Sequence, residues 1–477
     1  MLLSLLIACP KKTPEPVVEQ PPAFDRSVVP APLERREFKL PEAQETTLSN
    51  GLRVVLVEDH ELPLFDVRIV NRAGSWTDPE DREGLAVASL DMVNEGTKSY
   101  DAVALSSALR SLGSSLGSRS HLDSSSISCS GLTKNLEPTL DLLAEVVLEP
   151  TFPQADWERI QKQSLQSVEA SRKDPSDIAS RVFDVVLYGD VYDGRFRTVD
   201  SINALDVEQM AAWYAEHWTA SNSVLLVGGD VTLESVTPLL EERFGTWSLG
   251  EPLAAPIIEV AQPTETTIYA VHKADAAQSV IRAGRFVPDR LSEEWNDLYL
   301  GNTVFGGMFT ARLNMNLRED KGWTYGARST IWHGYSASGW MAYTSVVADQ
   351  TAPAIAELLG ELKGVETTKP ISADEVAYMK SSRINGYPAR FEGVGATLDQ
   401  TSNTWLHGLP EDFAETFIAR VDGVTVEGAQ GAFSTHVASQ PLSIVVVGDL
   451  ELNREALAGL GLPMVELDVE GAPIEQE

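Results

Sequence analysis

At 477 residues the chain is too long for one ordinary core and, at roughly 100–200 residues per domain, points to between two and four. Hydrophobic residues make up 43% and charged residues 22%, a foldable globular balance, and 37 Lys and Arg against 70 Asp and Glu leave a formal charge of −33. That charge speaks against nucleic-acid binding, two cysteines exclude a disulfide framework or cysteine-rich zinc fold, and no apolar run approaches the ~20 residues of a bilayer span.

The chain opens Met1-Leu-Leu-Ser-Leu-Leu-Ile-Ala-Cys9. Residues 1–9 read as the end of a signal peptide, and Leu6-Ile7-Ala8-Cys9 resembles a bacterial lipobox whose cysteine takes a lipid through its thiol. Residues 10–36 are Pro-rich and polar, a composition that cannot bury enough apolar area to order itself and so predicts a tether. Anchor and tether together predict a body held at a membrane surface of the bacterial cell envelope, on the periplasmic side. Cys129, in the strand-like run Ser124 to Ser130, has no local partner and is expected as a buried small hydrophobe.

Strand patterns follow at Gly51 to Val57, after the turn Ser49-Asn50-Gly51, and at Phe65 to Val70. Helical spacing takes over at Leu85 to Val93, Val103 to Leu112, Leu136 to Val147 and Ala155 to Arg172, the last stopped by Asp174-Pro175. Further on, Leu187-Tyr-Gly189 recurs as Leu406-His-Gly408, Val207-Glu208 as Val426-Glu427, His217 as His436, and the strand end Gly-Asp230 as Gly-Asp449. Each pair stands 219 residues apart, so the chain is read as a duplicated unit with a Pro-interrupted seam at about 250–263. Strands at the start, middle and end of each unit, with helices grouped between, predict α+β: one unit over 37–250, a second over 264–470, each a mostly antiparallel sheet with helices on one face.

Several pieces now stand in order: Leu48-Ser-Asn-Gly-Leu-Arg-Val-Val-Leu, Ala73-Gly-Ser-Trp, Gly84-Leu-Ala, Met92-Val-Asn-Glu-Gly-Thr97, Pro150-Thr-Phe-Pro153, and Leu317-Arg-Glu-Asp-Lys-Gly-Trp-Thr-Tyr325-Gly. With these the chain resembles the pitrilysin/insulinase class of zinc peptidases, peptidase family M16, over about residues 37–470. The resemblance implies the LuxS/MPP-like metallohydrolase fold. It also implies an inverted zinc motif, H-x-x-E-H, on a helix between Gly-Leu-Ala and Met-x-x-x-Gly-Thr, whose histidines ligate zinc and whose glutamate polarises water.

In this chain the five motif positions hold Val87, Ala88, Ser89, Leu90 and Asp91. Val87 and Asp91 replace the histidines and Leu90 the glutamate, while Ser167 stands where the family places a further ligand, with Glu169 close by. Aliphatic groups offer no lone pair, so no metal is expected in this chain and it should not hydrolyse peptides alone. No two of the seven histidines stand at ligand spacing on a helix, and the paired His217 and His436 point to a shared structural role.

The second unit keeps other residues that the resemblance makes functional. Arg318 and Tyr325 match a pair that approaches the zinc site, Tyr holding the carbonyl oxygen as charge develops and Arg holding the substrate backbone. The competing reading makes Arg318 a surface charge and Tyr325 a strand residue packed on the core. Upstream, Gly306 and Gly307 resemble a turn that admits an extended peptide, or else merely break a helix. In two-chain family members one chain carries the motif and its partner the Arg/Tyr pair. The expectation is therefore a non-catalytic subunit, with Arg318 and Tyr325 acting in trans at a partner's H-x-x-E-H zinc. The substrate would be an unfolded peptide bound as an added strand, and the acidic balance favours basic ones. The rival is a peptide-binding or scaffold lipoprotein with no role in proteolysis.

Overall fold

Strands that read as unbroken apolar runs belong in the middle of a sheet, covered on both faces, and this chain has one in each half. Ser223–Gly229 and Ser443–Gly448 are buried at every residue. The computed structural model, which describes residues 37–335 and 337–474, places each of them third in a six-stranded mixed sheet. Cys9, the rest of segment 1–9 and the tether 10–36 lie outside the described residues.

The first sheet contains β1 (Ala43–Thr47), β2 (Arg53–Glu58), β3 (Leu64–Asn71), β4 (Ser115–Ser120), β5 (Ser125–Leu132) and β6 (Ser223–Gly229), in the order β1-β2-β6-β3-β5-β4. The second contains β7 (Thr267–His272), β8 (Gln278–Val287), β9 (Thr324–His333), β10 (Ser338–Val347), β11 (Ser443–Gly448) and β12 (Met464–Leu467), in the order β12-β7-β11-β8-β10-β9. Apart from the first strand named, the two orders are one permutation. Pairs β2–β6 and β7–β11 are parallel, and β3 and β8 run antiparallel to those central strands. The remaining edge strand is taken from opposite ends of the two halves: β1 precedes its sheet and pairs antiparallel, whereas β12 follows and pairs parallel. Residues 248–263 between the halves contain no helix or strand.

On one face of the first sheet Leu56, Phe65, Val67, Ile69, Ile127 and Leu225 pack beneath helices Leu85–Met92 and Leu136–Leu148. Cys129 joins that cluster at 2% exposure, and burial pushes its thiol pKa up.

The opposite face holds a difference from expectation: it too is covered, and by a helix from the other half. Helix Pro175–Tyr188 is capped by Asp174, whose carboxylate accepts from the N–H groups of Ser176 and Asp177. Its apolar side sets Ile178, Val182, Phe183 and Leu187 against Val271, Val280, Phe286, Val445 and Val447 of the second sheet. Helix Val394–His407, 219 residues on, returns the exchange by packing Val394, Leu398 and Trp405 on Val55, Val57, Val224 and Leu226 of the first. The physical reason is the double-sided apolarity of β6 and β11, which one layer of helices cannot satisfy. Each large side chain so buried contributes about 1.5–3 kcal/mol, which couples the halves into one folding unit.

The halves also meet at their hairpin tips. Tyr192 donates to the Asp123 carboxylate and accepts from the Tyr335 N–H, while the Tyr335 ring lies against Trp76 (6.0 Å between centroids) and His407 (5.6 Å). Among the described residues no helix is long and apolar enough to cross a membrane.

Candidate functional site

The helix carrying the five motif positions begins at Gly84, whose φ of 100° is the left-handed conformation that favours glycine. The Asp78 carboxylate accepts from the N–H of Gly84 at 2.7 Å and of Ala86 at 2.8 Å, fixing the helix start. Burial pushes the Asp78 pKa up to about 7, against the pull of those two N–H groups. A side chain at Gly84 would also collide with Arg197, whose Cδ would lie 2.7 Å from the added Cβ. Gly84 therefore lets Arg197 cross the start of the helix.

What the helix presents is not a metal site. Leu90 is 0% exposed and belongs to the core, its carbonyl accepting from the Ser118 hydroxyl at 2.6 Å. Ser89 bonds back to the carbonyl of Leu85, and Val87 is half-buried. Asp91 opens into a cavity of about 510 Å³ that it shares with Ser167, Ser164, Glu95, Arg159 and Arg197. Ser167 and Asp91 thus line one cavity. Glu169 lies outside this cavity; it is exposed and pairs with Arg172 at 3.7 Å.

Asp91 stays exposed to water, yet the protein around it partly desolvates the carboxyl and raises its pKa, with Arg197 opposing and Glu95 assisting. Arg159 is held by Glu95 at 2.6 Å and Asp156 at 3.4 Å. Zinc needs three protein donors of suitable type, and this cavity supplies two carboxylates with two guanidinium groups already facing them. The residues do not fit zinc. Among the described residues no group of three or more His, Cys, Asp or Glu is placed to hold a metal ion. The two repeat-related histidines have separate surroundings: the His217 ring packs edge-on to Trp213 at 5.1 Å, and His436 meets Glu294 at 2.8 Å.

Arg318 and Tyr325 do not line this cavity; they stand on the second half. Arg318 lies in a stretch of π-helix, Met315–Asp320, the wide turn that recurs at functional sites. Its guanidinium stacks on the exposed ring of Phe309, 4.6 Å from the centroid, and meets Glu319 at 3.3 Å. Tyr325, on the edge strand β9, is 90% exposed, so it does not pack on the core. Gly306 is buried, and a Cβ there would lie 2.4 Å from the Ser329 hydroxyl and 2.7 Å from its nitrogen. That close approach is to this chain's own strand β9. Gly307 is pinned by Arg383, which donates to its carbonyl at 2.8 Å.

Three residues that sequence reasoning passed over complete the picture. Phe309 and Arg328 join Arg318 in one stack, with Arg328 5.8 Å from the same ring. Arg197 is the third; it reaches the motif helix from far along the chain, and no local pattern signals it.

The chain's relationships agree with this geometry. Residues 53–187 match Insulinase (Peptidase family M16), and residues 204–383 match Peptidase M16 inactive domain. The chain belongs to peptidase family M16. It is 21% identical over 410 residues to the non-peptidase homolog YmxG of Helicobacter pylori, covering 84% of this chain and 93% of that protein. An uncharacterized zinc protease of Mycobacterium leprae, ML0855, is 25% identical over 391 residues, covering 80% of this chain and 86% of the relative. The crystal structure of a peptidase M16 inactive domain from Pseudomonas fluorescens superposes with a TM-score of 0.78 at 26% identity, covering 85% of this chain and 98% of that one. An M16 frame whose motif helix bears Val87, Leu90 and Asp91 is thus a member without the family's metal ligands.

Proposed function

We propose that this chain is the non-catalytic subunit of a two-chain M16 peptidase, lending Arg318 and Tyr325 to substrate held at the zinc of a partner that carries H-x-x-E-H. The observation that carries the reading is the exposure of Tyr325, 90% on an edge strand, in a chain whose own motif cavity cannot hold the metal. An aromatic side chain that packs on nothing within its own chain is available to another. The non-peptidase homologue of Helicobacter pylori supports a member without hydrolysis of its own.

In this role the Tyr325 hydroxyl donates a hydrogen bond to the carbonyl oxygen of the scissile peptide as negative charge gathers there. Arg318, oriented by Phe309, donates to the backbone of the same peptide. Gly306 and Gly307 shape the loop that presents Phe309. The substrate is an unfolded segment lying as an added strand, its backbone read by edge hydrogen bonds. Cys9 carries the lipid that holds the pair at the periplasmic face of the envelope, and Cys9→Ala should move the chain from the membrane to the soluble fraction.

Reconstitution with an H-x-x-E-H partner tests the subunit reading. Arg318→Ala and Tyr325→Phe should each lower peptidase activity by about 10²-fold, the range for loss of one oxyanion donor, without preventing assembly. Unchanged activity in both variants would leave a scaffold as the better description. Peptide cleavage by the isolated chain, abolished by a chelator, would overturn the loss of the metal site itself.

A further inference from the structure

The chain carries −33 overall, yet its peptide-facing edge on the second half is cationic. Phe309, 44% exposed, is faced by two guanidinium groups, Arg318 at 4.6 Å and Arg328 at 5.8 Å. Arg318 is paired with the Glu319 carboxylate at 3.3 Å. Arg328 stands directly across from Tyr343 in the β9–β10 pairing, so the two side chains share a face, and Tyr343 is 40% exposed.

The backbone explains why side chains dominate recognition here. Along the middle of β9 the Ser329 N–H donates to the Gly306 carbonyl at 2.9 Å, and the Ala327 N–H donates to the Asn314 side chain at 3.1 Å. Those outward groups are already satisfied by the chain itself, so an added strand cannot bond to them. Asn314 also donates to the Phe309 carbonyl at 2.7 Å, fixing the aromatic platform to the strand. A ligand passing Tyr325 therefore finds the N–H groups of Ala327 and Ser329 already taken, and its side chains carry recognition at those two positions.

We infer that the Phe309–Arg328 stack is a specificity site for an acidic side chain of the bound peptide, resting on the reading of this edge as a peptide contact. A carboxylate placed at the edge of the Phe309 ring, against Arg328, receives a charge-assisted hydrogen bond from that guanidinium, which the ring face helps to hold. Arg318 remains for the backbone. The local charge thus reverses the preference that the overall acidity suggests: the peptide is acidic at this position, whatever the rest of it carries.

Fluorescence anisotropy of the full chain with labelled, unstructured peptides that differ only in one central residue, Glu, Gln or Lys, tests this. The Glu peptide should bind about 3–10-fold more tightly than the Gln peptide at low salt, with the advantage shrinking at high salt as screening sets in. Arg328→Gln should erase the Glu-over-Gln advantage while leaving Gln-peptide affinity in place. Phe309→Ala, which removes the platform and keeps both cations, should reduce it. A Lys preference, equal affinity for Glu and Gln, or an advantage that survives Arg328→Gln would overturn the specificity site and leave peptide binding standing. No binding of any of the three would overturn both.

Discussion

One transverse row of side chains, taken at matching positions of the two sheets, shows how far the halves have diverged. In the first sheet the register aligns Gly117, Ser128, Arg68, Leu226, Val55 and Glu45; in the second it aligns Arg328, Tyr343, Arg282, Val445, Tyr269 and Val465. The middle is shared: an arginine beside an apolar residue of the central strand, beneath the helix exchanged from the other half. One flank differs sharply, small and hydroxylic at Gly117 and Ser128 in the first half, cationic and aromatic at Arg328 and Tyr343 in the second. Even the shared arginines behave differently. Arg68 closes an ion pair with Asp66 at 2.6 Å and reaches Asp399 on its covering helix. Arg282 lies near Asp184 on the equivalent helix without closing a pair; its Nε is buried without a hydrogen-bond partner, and burial lowers its pKa. The duplicated scaffold is kept by the central strands, and the chemistry changes toward the free edges.

The largest effects should come from breaking the helix exchange. Phe183→Ala removes a ring that is 2% exposed against the second sheet, and should cost about 3–5 kcal/mol; Leu398→Ala, the reciprocal change at 0% exposure, should cost about 2–5 kcal/mol. Denaturant unfolding should show one transition, shifted in both variants, because each sheet holds a helix of the other half. Two separate transitions would mean that the halves fold independently despite the exchange.

The unequal arginines predict substitutions of opposite sign. Asp184 is buried near an open guanidinium and close to Asp193, and desolvation holds its pKa well above the ordinary value. A carboxyl whose pKa is higher in the fold than in the unfolded chain binds its proton more tightly when folded. Its contribution therefore favours the native state at low pH and is lost as pH climbs through the ordinary carboxylate range. Asp123, pushed up to about 6 mainly by burial, acts in the same direction between the ordinary carboxylate value and about 6. Asp184→Asn should thus stabilise the chain by about 1–3 kcal/mol at neutral pH and by little at pH 4. Asp399→Asn, which removes an exposed partner of Arg68, should destabilise by under about 1 kcal/mol. Thermal melts of both variants at the two pH values check the signs; stabilisation by both substitutions would mean that Arg68 is no better paired than Arg282.

These contrasts separate what is local in the sequence from what only the fold brings together. The duplication was legible because the caps and strand ends that repeat, from Leu187 to Asp230 and from Leu406 to Asp449, are local features that survive divergence. The departure from the family's zinc motif was legible because Gly84 to Thr97 is an ungapped frame, leaving no freedom in where Val87, Leu90 and Asp91 fall. The exchange was not, since the amphipathic pattern of helix 175–188 states that one side is buried but not against which sheet. Arg197 was hidden because it meets Asp91 only through the fold. Phe309 and Arg328 were hidden for a different reason: an exposed phenylalanine and a lone arginine on a strand carry no pattern until the stack brings them together.

A last contrast sets two glycines against each other, one held by the fold and one left open by it. Gly306→Ala should cost about 1–3 kcal/mol, because the new methyl meets the backbone of Ser329 and the strand cannot retreat without breaking its pairing to β10. Gly117 occupies the first-sheet position equivalent to Arg328, and nothing lies within 4 Å of where its Cβ would stand. Its backbone is that of an ordinary strand, so Gly117→Ala should stabilise by about 0.5–1 kcal/mol, through the narrower unfolded ensemble of alanine. The fold therefore supplies no reason for glycine on this edge strand, which borders both the 510 Å³ cavity beside Asp91 and a serine-lined cavity of about 610 Å³ on the other face. Melting temperature and peptide affinity measured on the same Gly117→Ala protein separate the two remaining reasons. If stability rises and affinity is unchanged, the position is merely neutral. If stability rises while affinity falls, the ligand's own backbone must pass close to Gly117, and the first half contributes the strand on which the peptide lies.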